Sequence, residues 1–174
     1  MQYWNYTFLQ LKLYKNKERN TDNKNMDIDL AIDPGKGGAV AVVANNKLIE
    51  VCKCPDTVAG MADIIRSIAL RYDTINAVIE KVHSMPMDGK ASSFAFGENY
   101  GQWQGILAAL NIPTREITPQ KWMKLYGAMP KDKSERKKKI RDIAEKAVGS
   151  SVTLYAADAV ALALVAQKIW KGNI

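Results

Sequence analysis

The chain has 174 residues, 47% of them hydrophobic, and a formal net charge of +7. This length supports one sizeable core and argues against a large two-domain enzyme. No apolar run of about 18 residues occurs, and the N-terminus lacks the basic and apolar pattern of a secretion signal. We therefore expect an intracellular, cytoplasmic protein without a membrane partner.

Cysteine and histidine are too rare for several common kinds of site. Cys52 and Cys54 are the only cysteines and His83 is the only histidine. A four-ligand zinc site of Cys and His therefore cannot be assembled from one chain, and the cysteines are expected to be reduced thiols on one strand. No nucleophile elbow lies near His83, which argues against a Ser-His-Asp triad.

The chain begins with a polar tract and continues with apolar strands. Residues 1–25 end in an Asn/Lys tract without periodicity, and we expect a tail there, followed by one domain over residues 26–174. Three β-branched segments begin at Ile28, Ala39 and Lys47 and are separated by the turn sequences PGKGG and Asn-Asn. They predict three consecutive antiparallel strands.

A helix and a fourth strand follow, and the strand ends in an acid. Asp56 and Thr57 can cap a helix whose apolar residues recur at helical spacing to about Tyr72. The segment TINAVIEK then predicts a strand that ends at Glu80. Because a helix precedes this strand, we expect it to lie parallel to an earlier one.

The second half of the chain is mostly helical. A polar loop leads to a helix, and PTREIT predicts a fifth short strand. Thr118 and Pro119 then provide a capping hydroxyl and a first-turn proline for a basic helical region that runs to about Val148, with a break near residues 127–130. LYAADAVALALVAQKIW predicts a buried final helix. The element order predicts an α/β domain with a five-stranded mixed sheet flanked by helices.

Basic residues are concentrated in one region. Residues 119–150 contain ten Lys and Arg against four Asp and Glu, whereas residues 27–118 contain eight against eleven. Clustered Lys and Arg favour a polyanionic partner, most simply the phosphates of nucleic acid. A solvated helix face has the same composition and stays open as an alternative.

Three acids occupy positions where a carboxylate needs a partner. Asp158 lies mid-way along the apolar final helix on a core face, so it must be protonated, paired with a cation or metal-bound. The alternative is a cap or a salt bridge at a frayed helix start. Asp33 and Glu80 each end an apolar strand, at the edge where parallel α/β sheets bind ligands. A hard divalent cation such as Mg²⁺ would resolve the repulsion between such acids, and two ions can align a phosphodiester for in-line attack by water. The glycines after Asp33 would let Lys36 approach a phosphate.

These features together resemble one known family. The Asp-Pro-Gly turn, Glu80 at a strand end, and the segments SMPMDGKASSFAFGENYGQWQGIL and YAADAVALALV are similar to the RuvC-type Holliday junction resolvases of phages and bacteria, over about residues 28–170. The resemblance implies a ribonuclease H-like fold, a homodimer, and Mg²⁺-dependent endonucleolytic cleavage of four-way DNA junctions in DNA recombination and repair. It also implies Asp33, Glu80 and Asp158 as catalytic metal ligands for one or two Mg²⁺ ions, with Mn²⁺ as a substitute and no nucleotide cofactor.

One position departs from the family pattern. The family places a further acid, or a His-Asp pair, shortly before the last aspartate, where this chain has Thr153, Leu154 and Tyr155. A non-catalytic or weakly catalytic branched-DNA-binding protein of the same fold is therefore one alternative, and a nuclease of RNA–DNA hybrids or flaps is another. Actin-like kinases share the Asp-x-Gly start, but their two domains do not fit this length, and GKGG is not a P-loop.

Aromatic residues of the predicted second helix are open to two interpretations. Phe94, Phe96 and Tyr100 could stack on unpaired bases, although each singly is more typical of a core. The two-fold symmetry of a four-way junction favours a dimer interface over internal packing for one apolar stripe of this helix. That stripe consists of Tyr100, Trp103, Leu107 and Leu110.

Basic side chains are candidates for phosphate contacts that position DNA without reading its sequence. Ordinary solvated side chains are the alternative for each of them. The candidates are Lys36, Lys81, His83, Lys90, Lys121, Lys124, Lys131, Lys133, Lys137 and Lys138.

Overall fold

The computed structural model describes residues 26–81 and 89–172. The predicted tail over residues 1–25 and the candidate His83 lie outside the described residues. Within the described ranges, no helix is long and apolar enough to cross a membrane.

Five strands form one mixed sheet in the described part of the chain, as predicted. β2 is antiparallel to β1 and β3, whereas β4 is parallel to β1 and β5. Asn45 and Asn46 link β2 to β3 at positive φ, the backbone that a tight two-residue hairpin needs. The strands, in the spatial order β3-β2-β1-β4-β5, are β1 (Asp27–Asp33), β2 (Ala39–Ala44), β3 (Lys47–Lys53), β4 (Thr74–Glu80) and β5 (Thr114–Ile117).

Helices connect and cover these strands. Thr57 caps the first of them as predicted, because its hydroxyl accepts a hydrogen bond from the N–H of Gly60 at 3.1 Å. The hydroxyl cap predicted for Thr118 is wrong, since the N–H of Lys121 donates to the Thr118 carbonyl instead. The helices described are α1 (Val58–Arg71), α2 (Lys90–Ala109), α3 (Pro119–Met123), α4 (Lys133–Val148) and α5 (Ala157–Trp170), with a 3₁₀ turn at Lys124–Tyr126.

The sheet is packed on both faces, which explains why its central strands are almost entirely apolar. Leu30 and Ile32 of β1 point to one face and pack with α1 and α2. Ala31 points to the other face and packs with α4 and α5. Alanines line both sides of that second contact, including Ala41 of β2 and Ala161 of α5, so α5 can lie close to the sheet.

The apolar stripe of α2 packs inside the chain. Trp103 and Leu107 are 0% and 1% exposed in the cluster beneath α1, and Tyr100 and Leu110 pack partly buried against that cluster. The interpretation of this stripe as a dimer interface is therefore wrong, because the sheet and α1 already cover it.

The start of α2 lies outside the core. Phe94 and Phe96 are 74% and 37% exposed, so the interpretation of these two residues as core is wrong. Residues 90–98 are nearly all exposed, although one edge of the Phe96 ring lies against Gly35, where a Cβ would be 2.8 Å from Cε2 of the ring. They remain available to a partner.

The final helix begins later than predicted. The N–H of Ala156 donates to the carbonyl of Thr153 at 3.1 Å in a turn, and α5 starts only at Ala157. Asp158 therefore lies in the first helical turn, not mid-way, and its side chain is 18% exposed. The turn before α5 contains apolar residues, as the helix does, so the composition of this segment did not show where the helix begins.

Candidate active site

Asp33 and Glu80 end two neighbouring parallel strands. Ile32 of β1 pairs with Ile79 of β4, so Asp33 and Glu80, which follow them, lie side by side at one edge of the sheet. The two isoleucines face α1 and α2. Because side chains alternate along a strand, both carboxylates point to the other face, toward α5.

Helix α5 carries Asp158 to the same edge. The charge of Asp158 acts on Asp33, and Gln167 near the other end of α5 hydrogen-bonds Asp29 near the other end of β1. The helix therefore runs antiparallel to the strand. The nine residues from Asp158 to Gln167 rise about 13.5 Å along the helix, and the four residues from Asp29 to Asp33 extend about 13 Å along the strand. The two distances match, so both ends of α5 can reach the corresponding ends of β1.

A tight turn after Asp33 fixes the end of β1. Gly35 has a φ of +114°, and the N–H of Gly38 donates to the Gly35 carbonyl at 3.0 Å. A Cβ at Gly38 would lie 1.9 Å from the carbonyl oxygen of Asp33, so only glycine fits there. Lys36 is exposed at the tip of this turn.

Side chains from two other segments hold the turn in place. Asn99 of α2 accepts a hydrogen bond from the N–H of Gly35 at 2.9 Å. Cys54, a buried free thiol just beyond β3, donates to the Asp33 carbonyl at 3.3 Å, and Cys52 is also free, as predicted. Sequence reasoning missed Asn99. Its position inside a helix was the available signal, because asparagine is a poor helix former.

Glu80 receives a hydrogen bond from a buried tryptophan. Nε1 of Trp122 on α3 donates to Oε2 of Glu80 at 2.7 Å, and the Trp122 side chain is fully buried. The bond fixes the orientation of the Glu80 carboxylate. Sequence reasoning singled out only lysines in this segment, since nothing local indicates which acid a tryptophan will contact.

Asp158 is paired with a lysine of the basic segment. Nζ of Lys137 on α4 lies 3.2 Å from Oδ2 of Asp158, and the two side chains are 35% and 18% exposed. The sequence predicts Lys137 as a phosphate contact, whereas the structure places it against the acids. Asp158 also lies at the N-terminus of α5, where the helix dipole favours a negative charge.

Burial and mutual repulsion raise the pKa values of two of these acids. Burial is the main cause at Asp33, and the charges of Glu80 and Asp158 raise its pKa further, against the opposing charge of Lys137. Burial raises the pKa of Glu80 to about 7; the Trp122 hydrogen bond and Lys137 oppose this, while Asp158 adds to it. The three carboxylates are therefore close enough to repel one another.

The donor set suits a hard divalent cation. All three side chains offer carboxylate oxygens, and such a cation would neutralise their repulsion. As the side chains stand, no three His, Cys, Asp or Glu residues within 26–81 and 89–172 are arranged to hold a metal ion. Ligation would therefore require reorientation, above all of Asp158, whose Oδ2 faces Lys137.

Most of the basic candidates for phosphate contact lie on the surface. An open groove of about 470 Å³ beside α3 is lined in part by Lys124, Lys131 and Arg136. Lys81 makes an ion pair with Glu116 at 3.2 Å. The exposed candidates are Lys36, Lys81, Lys90, Lys121, Lys124, Lys131, Lys133 and Lys138.

Comparison with known proteins gives a structural match only. No protein-family model and no curated protein sequence matches the chain. A structure of Thermus thermophilus RuvC in complex with a Holliday junction substrate is similar, with a TM-score of 0.62 and 15% identity over 84% of this chain and 96% of that one. A second Thermus thermophilus RuvC structure has a TM-score of 0.56 and 16% identity over 85% and 96%. The fold of this chain is therefore RuvC-like, within the ribonuclease H-like class.

Proposed function

We propose that the chain is a divalent-metal-dependent endonuclease that resolves four-way DNA junctions. The observation that carries this proposal is the convergence of Asp33, Glu80 and Asp158 at one edge of a RuvC-like sheet, where they repel one another. Similarity to a RuvC structure that contains a Holliday junction substrate supports branched DNA as the substrate.

The three carboxylates would hold Mg²⁺, or Mn²⁺ in its place. When bound, such an ion would supply Lewis-acid polarisation of the scissile phosphate and activation of water. The protein's own part is to keep these acids in position and partly dry. Trp122 fixes Glu80 through its indole N–H, and Asn99 fixes the turn that follows Asp33.

DNA binding is assigned to the exposed basic and aromatic residues. The accessible lysines of the segment 119–138 would contact phosphates, which gives affinity without sequence preference. Phe94 and Phe96, exposed at the start of α2, would stack on unpaired bases near the turn that carries Lys36. Two symmetric cuts require two related sites, so we assign a homodimer whose interface is not the buried stripe of α2.

A branched-DNA-binding protein that cuts weakly or not at all is the second candidate function. The observation that favours it is the ion pair of Asp158 with Lys137, together with the absence of a ready ligand arrangement in the described ranges. Thr153, Leu154 and Tyr155, just before α5, add no further carboxylate there.

A cleavage assay on a synthetic four-way junction separates these functions. We expect symmetric nicks that require Mg²⁺ or Mn²⁺ and that vanish in the variants Asp33→Asn and Glu80→Gln, with junction binding retained. Tight binding without cleavage in either ion would favour the binding protein. Preferential cleavage of RNA–DNA hybrids or flaps, offered as competitors, would instead indicate a general nuclease.

A further inference from the structure

Lys137 differs from the other lysines of α4 in the direction that it faces. Ile140 and Ala144 are the buried residues of this helix, and Lys137 precedes them by three and seven positions, so it continues the same buried stripe. That stripe packs against α5. Lys138, the next residue, is exposed.

The ammonium group of Lys137 contacts Asp158, and its charge acts on the other two acids. Its Nζ is 3.2 Å from Oδ2 of Asp158. Its charge also lowers the pKa values of Asp33 and Glu80, which places it within electrostatic reach of both. A lysine that only contacted DNA phosphates would instead point outward, as Lys138 does.

The charges at this edge then balance one divalent cation. Lys137 and Asp158 offset each other's charge, and Asp33 and Glu80, ionised when a metal binds, would supply two negative charges that a single divalent ion neutralises. A second ion would have to displace Lys137 from Asp158 or add unbalanced positive charge in a partly buried place.

We propose that Lys137 is a built-in cation that pairs with Asp158 and limits the DNA-free protein to one divalent ion, bound through Asp33 and Glu80. This inference rests on the proposed function and deepens it, because it assigns Lys137 a role as a positioning residue that acts through Asp158. The neighbouring Lys138 has no such role.

Binding of Mn²⁺ to the full chain without DNA tests the proposal, by calorimetry or by the electron paramagnetic resonance of free Mn²⁺. The wild type is expected to bind one ion. Lys137→Met, which keeps the aliphatic stem and removes the charge, is expected to bind Mn²⁺ about tenfold more tightly or to take up a second ion. Lys137→Arg and Lys138→Met are expected to behave like the wild type.

A double variant keeps the proposal testable if Lys137→Met does not fold. Replacing both partners, Lys137→Met with Asp158→Asn, leaves no unpaired charge, and the remaining site should bind one ion within about threefold of the wild-type affinity. Loss of binding in this double variant would overturn the proposal, because Asp158 would then be a ligand in the DNA-free protein.

Failure of the role of Lys137 and failure of the metal site give different results in these binding measurements. Unchanged affinity and stoichiometry in Lys137→Met, or an equal gain in Lys138→Met, would overturn the role of Lys137 while leaving the metal site intact. A wild type that binds no Mn²⁺, or binds it equally well after Asp33→Asn, would overturn the metal site itself and the role of Lys137 with it.

Discussion

Strand β1 carries a buried carboxylate toward its start, Asp29, and a partly buried one at its end, Asp33, and their surroundings differ. Burial raises the pKa of Asp29 to about 6, while hydrogen bonds from Asn76, at 3.2 Å, and Gln167 oppose the increase. The charges of Asp27 and Lys171 act on it in opposite directions. Partial burial also raises the pKa of Asp33, and the charges of Glu80 and Asp158 raise it further. Asp29 therefore has amide partners and two opposing charges, whereas Asp33 lies among acids only partly offset by Lys137, which is the arrangement that favours a functional carboxylate.

The largest difference is expected between amide variants at these two positions. Asp33→Asn should reduce junction cleavage at least about a hundredfold, because a ligand and a charge are removed from the site. Asp29→Asn should leave cleavage within about twofold, since its hydrogen bonds are to neutral amides and it lies toward the opposite end of the strand. Single-turnover cleavage of a labelled junction measures both, and an equal loss in the two variants would contradict the distinction.

The next largest effect concerns the orientation of Glu80. Trp122→Phe removes the indole N–H that stabilises the ionised carboxylate, so the pKa of Glu80 should rise further and cleavage at neutral pH should fall about tenfold. Activity should recover in part at higher pH, where Glu80 ionises again. The pH dependence of single-turnover rates is the measurement.

A matched control exists for that substitution. Trp103 is also fully buried, but its indole N–H has no hydrogen-bond partner among the described residues. Trp103→Phe therefore creates a similar packing defect without removing a hydrogen bond from Glu80. If both variants shift the pH profile equally, the effect belongs to packing and not to Glu80.

The free energy of unfolding should depend on pH through the raised pKa values of Glu80 and Asp29. Glu80 has a pKa near 4.5 when unfolded and about 7 when folded, so between these values the folded state binds more protons and stability falls as pH rises. Without divalent ions, Glu80 contributes about 3 kcal/mol to this loss at most, and Asp33, whose pKa is also raised, adds to it. Glu80→Gln should flatten the curve over this range, whereas Asp29→Asn should flatten it only between about pH 4 and pH 6.

Urea unfolding at a series of pH values measures these slopes. Added Mn²⁺ should restore stability to the wild type near pH 7 and have much less effect on Glu80→Gln, because the ion binds only the folded site. A wild-type curve that rises between pH 5 and pH 7 without metal would contradict the assignment of a raised pKa to Glu80.

The smallest effects are expected on the basic surface, away from the acids. Replacing exposed Lys124 by Ala should weaken junction binding a few-fold and lower the dependence of log Kd on log salt by about one. Cleavage of bound DNA should change little. Fluorescence anisotropy at several salt concentrations is the check, and an unchanged salt slope would remove Lys124 from the DNA-binding surface.

The architecture could be predicted from the sequence because it depends on local patterns. Short β-branched runs between turn residues identified the first strands, apolar residues at helical spacing identified the first helix, and the glycines of PGKGG indicated a turn after Asp33. The positions of Asp33 and Glu80 at strand ends follow from the same patterns.

Contacts between distant segments could not be predicted in this way. Trp122 is 42 residues from Glu80, and Lys137 belongs to a basic run whose members look alike until the packing of α4 on α5 turns one of them inward. The same limit explains the errors at α2. Whether Trp103 or Phe94 is buried depends on how far the sheet extends beneath the helix, and the spacing of apolar residues within the helix does not show this.

Anomalous diffraction from crystals grown with a four-way junction and Mn²⁺ is the decisive test of the proposed metal site. We expect an Mn²⁺ peak bonded to carboxylate oxygens of Asp33, Glu80 and Asp158 beside a DNA phosphate. Mn²⁺ bound elsewhere, or DNA bound with no ion at this edge of the sheet, would contradict it.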